Sequence, residues 1–179
     1  MARPRRRISH VHAVAEVPSF SSIVERHLDD VHGYLVYLTR DRGIAEDLTA
    51  ETFEKALRLW RRFDPRRGSA RTWLCQLART TALDHFRAEE RRRRREGVYA
   101  RDEYVDPDEG LFGGLSPELE RALAALSVGE REVIALRVLL DLDGETAARV
   151  LGISVTACST RLSRALKKLE ERMSADVAA

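Results

Sequence analysis

The stretch Asp143–Leu169, DGETAARVLGISVTACSTRLSRALKKL, decides how the C-terminal half of this chain folds. It reads as a short helix, a turn and a longer basic helix, the grammar of a helix-turn-helix whose second helix enters the DNA major groove. Ala147, Ala148, Val150 and Leu151 give the first helix a small apolar face. Gly152 is able to take the left-handed conformation that ends a helix, and Ser154 stands where a hydroxyl caps the next one. Along that next helix Val155, Cys158, Leu162, Ala165, Leu166 and Leu169 recur at spacings of three and four and predict a core stripe. Thr156, Ser159, Thr160, Ser163, Arg164 and Lys167 fall elsewhere, leaving a polar face for nucleic acid. The same spacing arises in plain helical bundles, so the rest of the chain has to decide between the two.

Immediately upstream, Ser116 followed by Pro117 opens a helix containing Leu119, Leu123 and Leu126, since proline is well tolerated at a first helical position. Ser127 with Glu130 three residues later predicts a capping box for a further helix carrying Val133, Ile134, Leu136 and Arg137. With the opening motif these make a four-helix lobe over 116–172, followed by a tail, 173–179.

The N-terminal half carries helical periodicity of its own and no strand alternation. Phe20, Ile23, Val24, Leu28, Val31, Leu35 and Leu38 place an apolar stripe on a first helix capped by Ser19 or Ser21 and ending near Arg42 and Gly43. A second helix runs from about Ile44 through Leu48, Phe53, Ala56, Leu57 and Trp60 and stops at Asp64 and Pro65. The loop FDPRRGS leads to a third, longer helix that begins near Ser69 and carries Trp73, Leu74, Leu77, Ala78, Ala82, Leu83 and Phe86 towards the run Arg91–Arg95. Trp73 and Phe86 fit the apolar stripe and read as core residues rather than as stacking platforms. These three helices form a lobe over 19–95, behind a basic arm, 1–18. Between the lobes, 96–115 loses periodicity and gathers Asp102, Glu103, Asp106, Asp108, Glu109 and glycines, the composition of an acidic flexible linker. The fold class is therefore all-α, two small helical lobes on a linker.

Composition narrows the function. The chain has 179 residues, 44% apolar and 34% charged, with a net charge of only +2, but its charges are segregated into basic and acidic stretches. Cys75 and Cys158 imply no disulfide framework, which suits a reducing cytoplasm, and no apolar run is long enough to span a bilayer. Cys158 on the apolar stripe reads as a small core residue. His27 and His32 are five apart on a helix and point different ways, so no metal site is supported. No catalytic constellation and no phosphate-binding glycine loop emerges. The chain is expected to be no enzyme and to use no metal, no cofactor and no small-molecule substrate.

The first lobe, with GIAEDLTAETFEKALRLWRRFDP (43–65) followed by GSARTWLCQLARTTALDHFR (68–87), resembles region 2 of bacterial extracytoplasmic-function (ECF) sigma factors of the sigma-70 family. The second lobe, with LERALAALSVGEREVIALR (119–137) and GISVTACSTRLSRALKKL (152–169), resembles their region 4. The two resemblances come in the family's order and cover roughly 19–172. They imply a factor that binds core RNA polymerase and directs promoter-specific initiation through the −10 and −35 elements, with an anti-sigma factor as a further partner. A stand-alone helix-turn-helix regulator that never touches polymerase is the alternative.

The resemblance also assigns residues. Asp47 and Glu51 share a helix face and, with Thr52 and Phe53, are implied to bind core polymerase; a solvated Glu51–Lys55 ion pair is the plainer reading of the same face. Arg66, Arg67, Arg71, Arg79, Thr80, Asp84, His85 and Arg87 are implied to hold the −10 element, where opened DNA needs cationic and stacking surfaces. Thr156, Ser159, Thr160 and Ser163 are implied to read −35 base edges, and Arg161, Arg164, Lys167 and Lys168 to hold phosphates. Thr80 stands where many members carry asparagine, which leaves the identity of the preferred −10 base open, and Ser159 stands where lysine is frequent. Gly144 and Ala147 replace larger apolar residues, which predicts a lightly packed motif.

Overall fold

The computed structural model describes residues 19–96 and 115–177, and all regular structure among them is helical. The basic arm and nearly all of the linker lie outside the described residues.

Local chemistry sets the helix ends. Ser19 caps α1 (Phe20–Thr39), its hydroxyl accepting from the Ser22 N–H at 3.3 Å. The helix ends at Thr39 rather than near Arg42, with Arg40 in the left-handed region at φ 60°. The reason is Asp41, whose carboxylate accepts from the Ile44 N–H at 2.8 Å and starts α2 (Arg42–Leu59) two residues earlier than expected. A single 3₁₀ turn, Trp60–Arg62, ends that helix. Ser69 caps α3 (Ala70–Arg95) through the Thr72 N–H at 3.1 Å.

In the second half, Ser116 and Pro117 open α4 (Pro117–Ala124), and the expected capping box between Ser127 and Glu130 opens α5 (Val128–Ile134). This helix does not continue regularly through Arg137. Residues Ala135–Leu139 form a π-helical turn closed by Leu140 N–H donating to the Ala135 carbonyl at 2.9 Å, while the Arg137 guanidinium holds the Leu142 carbonyl. The wide turn leaves Val138 and Leu139 exposed. Helices α6 (Gly144–Leu151) and α7 (Val155–Val177) follow, so the segment expected as a tail from 173 is helix as far as Val177.

The two lobes pack on each other. Helix α1 contacts α2 and α3 on one side and α5 with its π turn on the other, and α3 contacts α6. One continuous apolar cluster results, from Leu35, Leu38, Leu48, Leu74 and Ala78 to Val133, Leu136, Leu140, Ala148 and Leu151. Cys75 and Cys158 are both buried in it; burial pushes the Cys75 thiol up to about 12 and that of Cys158 up as well, in keeping with inert core residues.

Candidate nucleic-acid and polymerase interfaces

Of the four α2 residues expected on a polymerase-binding surface, two are exposed. Asp47 and Glu51 are exposed, and Glu51 holds Lys55 at 2.8 Å, while the Lys55 ammonium also donates to the Thr81 hydroxyl on α3 at 3.2 Å. Thr52 is 0% exposed and its hydroxyl donates to the Leu48 carbonyl at 2.7 Å, so it supports the helix from inside. Phe53 is buried and floors a groove with Val24, Leu28 and Ala50, flanked by Asp29 and Glu46. Thr52 is therefore enclosed and Phe53 reaches the surface only as the floor of that groove: the Ala45–Leu48–Thr52–Phe53–Ala56 side of α2 packs inward, and the carboxylates ride on the opposite side.

The loop before α3 builds an aromatic cluster. Phe63 stacks on Trp60 with centroids 5.0 Å apart and 9° between planes, and Trp73 leans on both at 5.1 and 6.0 Å. Trp73 packs against the core as its periodicity suggests, and it also walls an open cavity of about 350 Å³ with Phe63, Arg62, Arg67, Ser69 and Gln76. Arg62 and Gln76 were not singled out from sequence; Gln76 lies one turn before Thr80 on the same helix face, which is the signal that finds it.

The residues expected at the −10 element separate into three groups. Arg66 and Arg67 are exposed in the loop, where the Asp64 carboxylate accepts from the Arg66 N–H at 2.9 Å. Thr80, Asp84 and Arg87 form an exposed line on α3, with Arg87 paired to Asp84 at 3.3 Å, and His85 lies half-buried edge-on against Phe86. Arg71 and Arg79 are engaged within the protein. Arg71 makes a two-pronged pair with Asp30 of α1, at 2.7 and 3.2 Å, tying α3 to α1.

Arg79 reaches the other lobe. Its Nε donates at 2.7 Å to Glu132, whose carboxylate is almost wholly buried and also accepts from the Tyr34 hydroxyl at 3.2 Å. Burial, with the Glu132 charge added, raises the Tyr34 hydroxyl well above its usual range. Two further arginines cross between the lobes. Buried Arg131 donates to the Tyr37 and Leu38 carbonyls at the end of α1, both at 3.1 Å, and to Leu126; Arg40 donates to the Ala124 carbonyl at the end of α4 at 2.6 Å. Each lobe thus caps a helix of the other, satisfying carbonyls that a helix C-terminus leaves open. Burial lowers Arg131 to about 10, with the like charge of Arg40 adding to the effect and Glu130 opposing it. Sequence reasoning missed Tyr34, Arg40, Arg131 and Glu132. The only signal is that Arg131 and Glu132 stand directly before the apolar run Val133–Leu136.

The helix-turn-helix forms as its residues dictate. The Asp143 carboxylate accepts from the Thr146 hydroxyl at 2.6 Å and N–H at 2.9 Å, which holds it below its ordinary range. Gly152 ends α6 at φ 67°, and the Ser154 hydroxyl accepts from the Ala157 N–H at 3.1 Å. On α7, Thr156, Ser159, Thr160, Ser163, Arg164 and Lys167 are exposed together, Arg161 is half-buried, and Lys168 is held by Glu130 at 2.9 Å. The predicted core stripe is narrower than expected. Cys158 and Ala165 are buried and Leu162 and Leu169 pack beside them, but Val155 and Leu166 are 48% and 43% exposed. At about 100° per residue both stand some 70–90° off the Cys158–Ala165 line, on one edge of the helix. Ala147 is fully enclosed in α6, and a Cβ on Gly144 would meet only Val155, at an ordinary 3.9 Å.

Among the described residues no three histidine, cysteine, aspartate or glutamate side chains gather as metal ligands, and no helix is long and apolar enough to cross a membrane. The Sigma-70 region 2 family model matches residues 23–92 and the Sigma-70 region 4 model residues 116–169. The ECF RNA polymerase sigma factor SigC of Mycobacterium tuberculosis is 35% identical over 149 residues, 82% of this chain and 79% of that one. SigX of Bacillus subtilis is 29% identical over 163 residues, 87% and 84% of the two chains. Among solved structures, the sigma factor RpoE of Bartonella quintana, in complex with the anti-sigma factor NepR, superposes with a TM-score of 0.75 at 25% identity, covering 88% of this chain and 98% of that one. CnrH in complex with the cytosolic domain of CnrY gives 0.65 at 25% identity, covering 88% of each. With both halves matched in order and relatives aligned along most of its length, the chain belongs to the ECF sigma factors of the sigma-70 family, which bind core RNA polymerase and direct promoter-specific initiation.

Proposed function

We propose that this sigma factor meets polymerase through the Asp47–Glu51 face of α2, captures the −10 element between the 63–69 loop and α3, and reads the −35 element with the Thr156–Lys167 face of α7. It acts by binding and not by catalysis, and an anti-sigma protein that covers these faces is its expected regulator, as the NepR-bound relative illustrates. The observation that carries the reading is the cavity beside Trp73. Its aromatic wall, its Arg62 and Arg67 cations and the Gln76 amide offer stacking, charge and hydrogen bonds together, the three things an unstacked base requires.

The packed arrangement is a resting one. Arg79 is bound to Glu132 and α3 to α6, so the lobes separate before both elements are engaged. In this reading Arg71 and Lys168, held in part-buried pairs to other helices, position those helices, whereas Arg66, Arg67, Thr80, His85 and the exposed pair Asp84–Arg87 remain for DNA.

Transcription in vitro with core polymerase on a library randomised at both elements tests the assignment. Specific new start sites are expected, Asp47→Arg is expected to abolish them together with core binding, and Gln76→Ala to alter the preferred −10 bases without weakening core binding. Initiation that never becomes promoter-specific, or an Asp47→Arg protein that still binds core, refutes it and favours the polymerase-independent regulator.

A further inference from the structure

The cavity beside Trp73 has one wall on a loop that little holds in place. Between the turn at Trp60 and the cap at Ser69 the described hydrogen bonds stay local. The Phe63 N–H donates to the Trp60 carbonyl at 3.0 Å, and the Arg66 and Arg67 N–H groups donate to the Asp64 carboxylate and carbonyl at 2.9 and 3.0 Å. The side chains from Asp64 to Arg67 are exposed, and Phe63 is half-buried. A single ring therefore places the loop against the rest of the lobe.

Trp60 supplies the seat for that ring. Residues three apart eclipse one another in a 3₁₀ turn, whereas on an α-helix they stand about 60° apart. The 3₁₀ turn Trp60–Arg62 thus lays Phe63 flat on Trp60, with centroids 5.0 Å apart and 9° between planes. Trp60 is itself fixed from α1, whose first residue, Phe20, meets it edge-on at 5.5 Å and 62°. Both Phe20 and Trp60 pack against the core, and neither lines the cavity. Burial alone would be served by any apolar side chain of similar volume; a parallel ring fixes the tilt of Phe63 as well as its depth.

We infer that Trp60, braced by Phe20, is a positioning residue for −10 recognition: it holds Phe63 and the 63–69 loop in the arrangement that forms the base-binding cavity, without touching the base. The inference rests on the promoter reading given above and names the residues that keep its cavity formed. A cavity present for part of the time binds its preferred base in proportion to that fraction, while binding that does not use the cavity is unaffected. Loosening the loop therefore costs discrimination at −10 and spares what is done elsewhere.

The test uses holoenzyme reconstituted from core polymerase and the full chain. A promoter carrying the selected elements competes with one substituted at −10 and, in parallel, with one substituted at −35. Trp60→Leu keeps an apolar side chain and removes the ring. It is expected to lower the −10 preference about three- to tenfold, the range of one or two aromatic contacts, with the −35 preference and the core affinity measured without DNA unchanged. Trp60→Phe, which restores a ring, is expected to recover most of the −10 preference. Phe20→Leu is expected to act in the same direction with a smaller effect, and it carries the test if Trp60→Leu does not fold. A ratio between competing promoters does not depend on how much holoenzyme is active, so a merely structural role would lower thermal stability and leave the ratio alone. An unchanged −10 preference in the leucine variants overturns the inference. So does an equal fall at −35, or a phenylalanine variant no better than leucine. A wild-type holoenzyme indifferent to −10 substitution overturns the underlying reading instead, and that failure shows before any variant is compared.

Discussion

Removing the Glu132 carboxylate tests whether the lobes are held as described. In Glu132→Ala two donors lose their acceptor: Tyr34, wholly buried, and Arg79, whose side chain is 25% exposed. A buried hydroxyl left unpaired costs about 1–3 kcal/mol, and a hydrogen bond to a charged group contributes about 1.5–3 kcal/mol. Arg79 regains part of its hydration through its exposed edge, so the expected loss is about 2 kcal/mol, below the ~3–5 kcal/mol typical of a fully buried ion pair that loses one member. At about 1.4 kcal/mol per decade, this shifts the balance between packed and separated lobes roughly thirty-fold.

Small-angle scattering of the full chain reads the shift directly as a larger radius of gyration, and urea unfolding reads it as a lower midpoint. Arg79→Ala and the double variant complete a cycle in which the pair is expected to show a coupling of about 1.5 kcal/mol or more. An unchanged radius with a destabilisation under about 0.5 kcal/mol, the range of ordinary surface substitutions, would refute the claim that this carboxylate joins the lobes.

Three further outcomes follow from the geometry. Burial raises Glu130, but the Lys168 ammonium and the Ser127 backbone and hydroxyl more than offset it and hold the carboxyl below its ordinary 4.5; the stability it contributes is thus present above that value and lost as pH falls through the depressed one. Glu130→Gln is expected to lower stability by about 1 kcal/mol at neutral pH, a gap that closes in acid when unfolding is compared across pH. Cys75, with its thiol raised to about 12, is expected to resist a disulfide reagent at pH 8 until denaturant is added, and rapid labelling of the native protein would contradict its place in the core. Gly152→Ala meets no atom within 4 Å and is strained only by its φ of 67°, so thermal unfolding is expected to show a loss of about 1 kcal/mol and no larger effect.

What could be read from the chain divides by distance along it. Ser19, Ser69, Ser116 with Pro117, Ser127 with Glu130, Gly152 and Ser154 all behave as their local chemistry predicts, because a cap is settled within three or four residues. The start of α2 two residues before Ile44 is equally local, since Asp41 caps it through the Ile44 N–H. The π turn at Ala135–Leu139 is another matter: those residues are ordinary helix formers, and the wider turn appears with Arg137 reaching the Leu142 carbonyl beyond it. Arg71 and Arg79 read as free cations because Asp30 and Glu132 lie 41 and 53 residues away. Periodicity marked Val155 and Leu166 as apolar without showing how much of α7 the neighbouring helices would cover.

The contacts between the lobes bear on how such a molecule uses two promoter elements. Packed helices lie about 8–10 Å apart, so α3, touching α6, which touches α7, stands roughly 20 Å from α7. Elements centred near −10 and −35 are about 25 base pairs apart, some 85 Å at ~3.4 Å per pair. If α3 and α7 hold the two elements as proposed, no small adjustment bridges that difference, and α3 must leave α6 for both to be bound. The polar bonds that break are those of Arg79, Arg131, Arg40 and Tyr34, all made to oxygen acceptors that water can replace. Arg79 has more to gain than water, since a phosphate restores the charged acceptor it loses with Glu132. A cation drawn from the lobe interface to the DNA would offset part of the cost of opening, and it would do so only on a promoter, where the opening is needed.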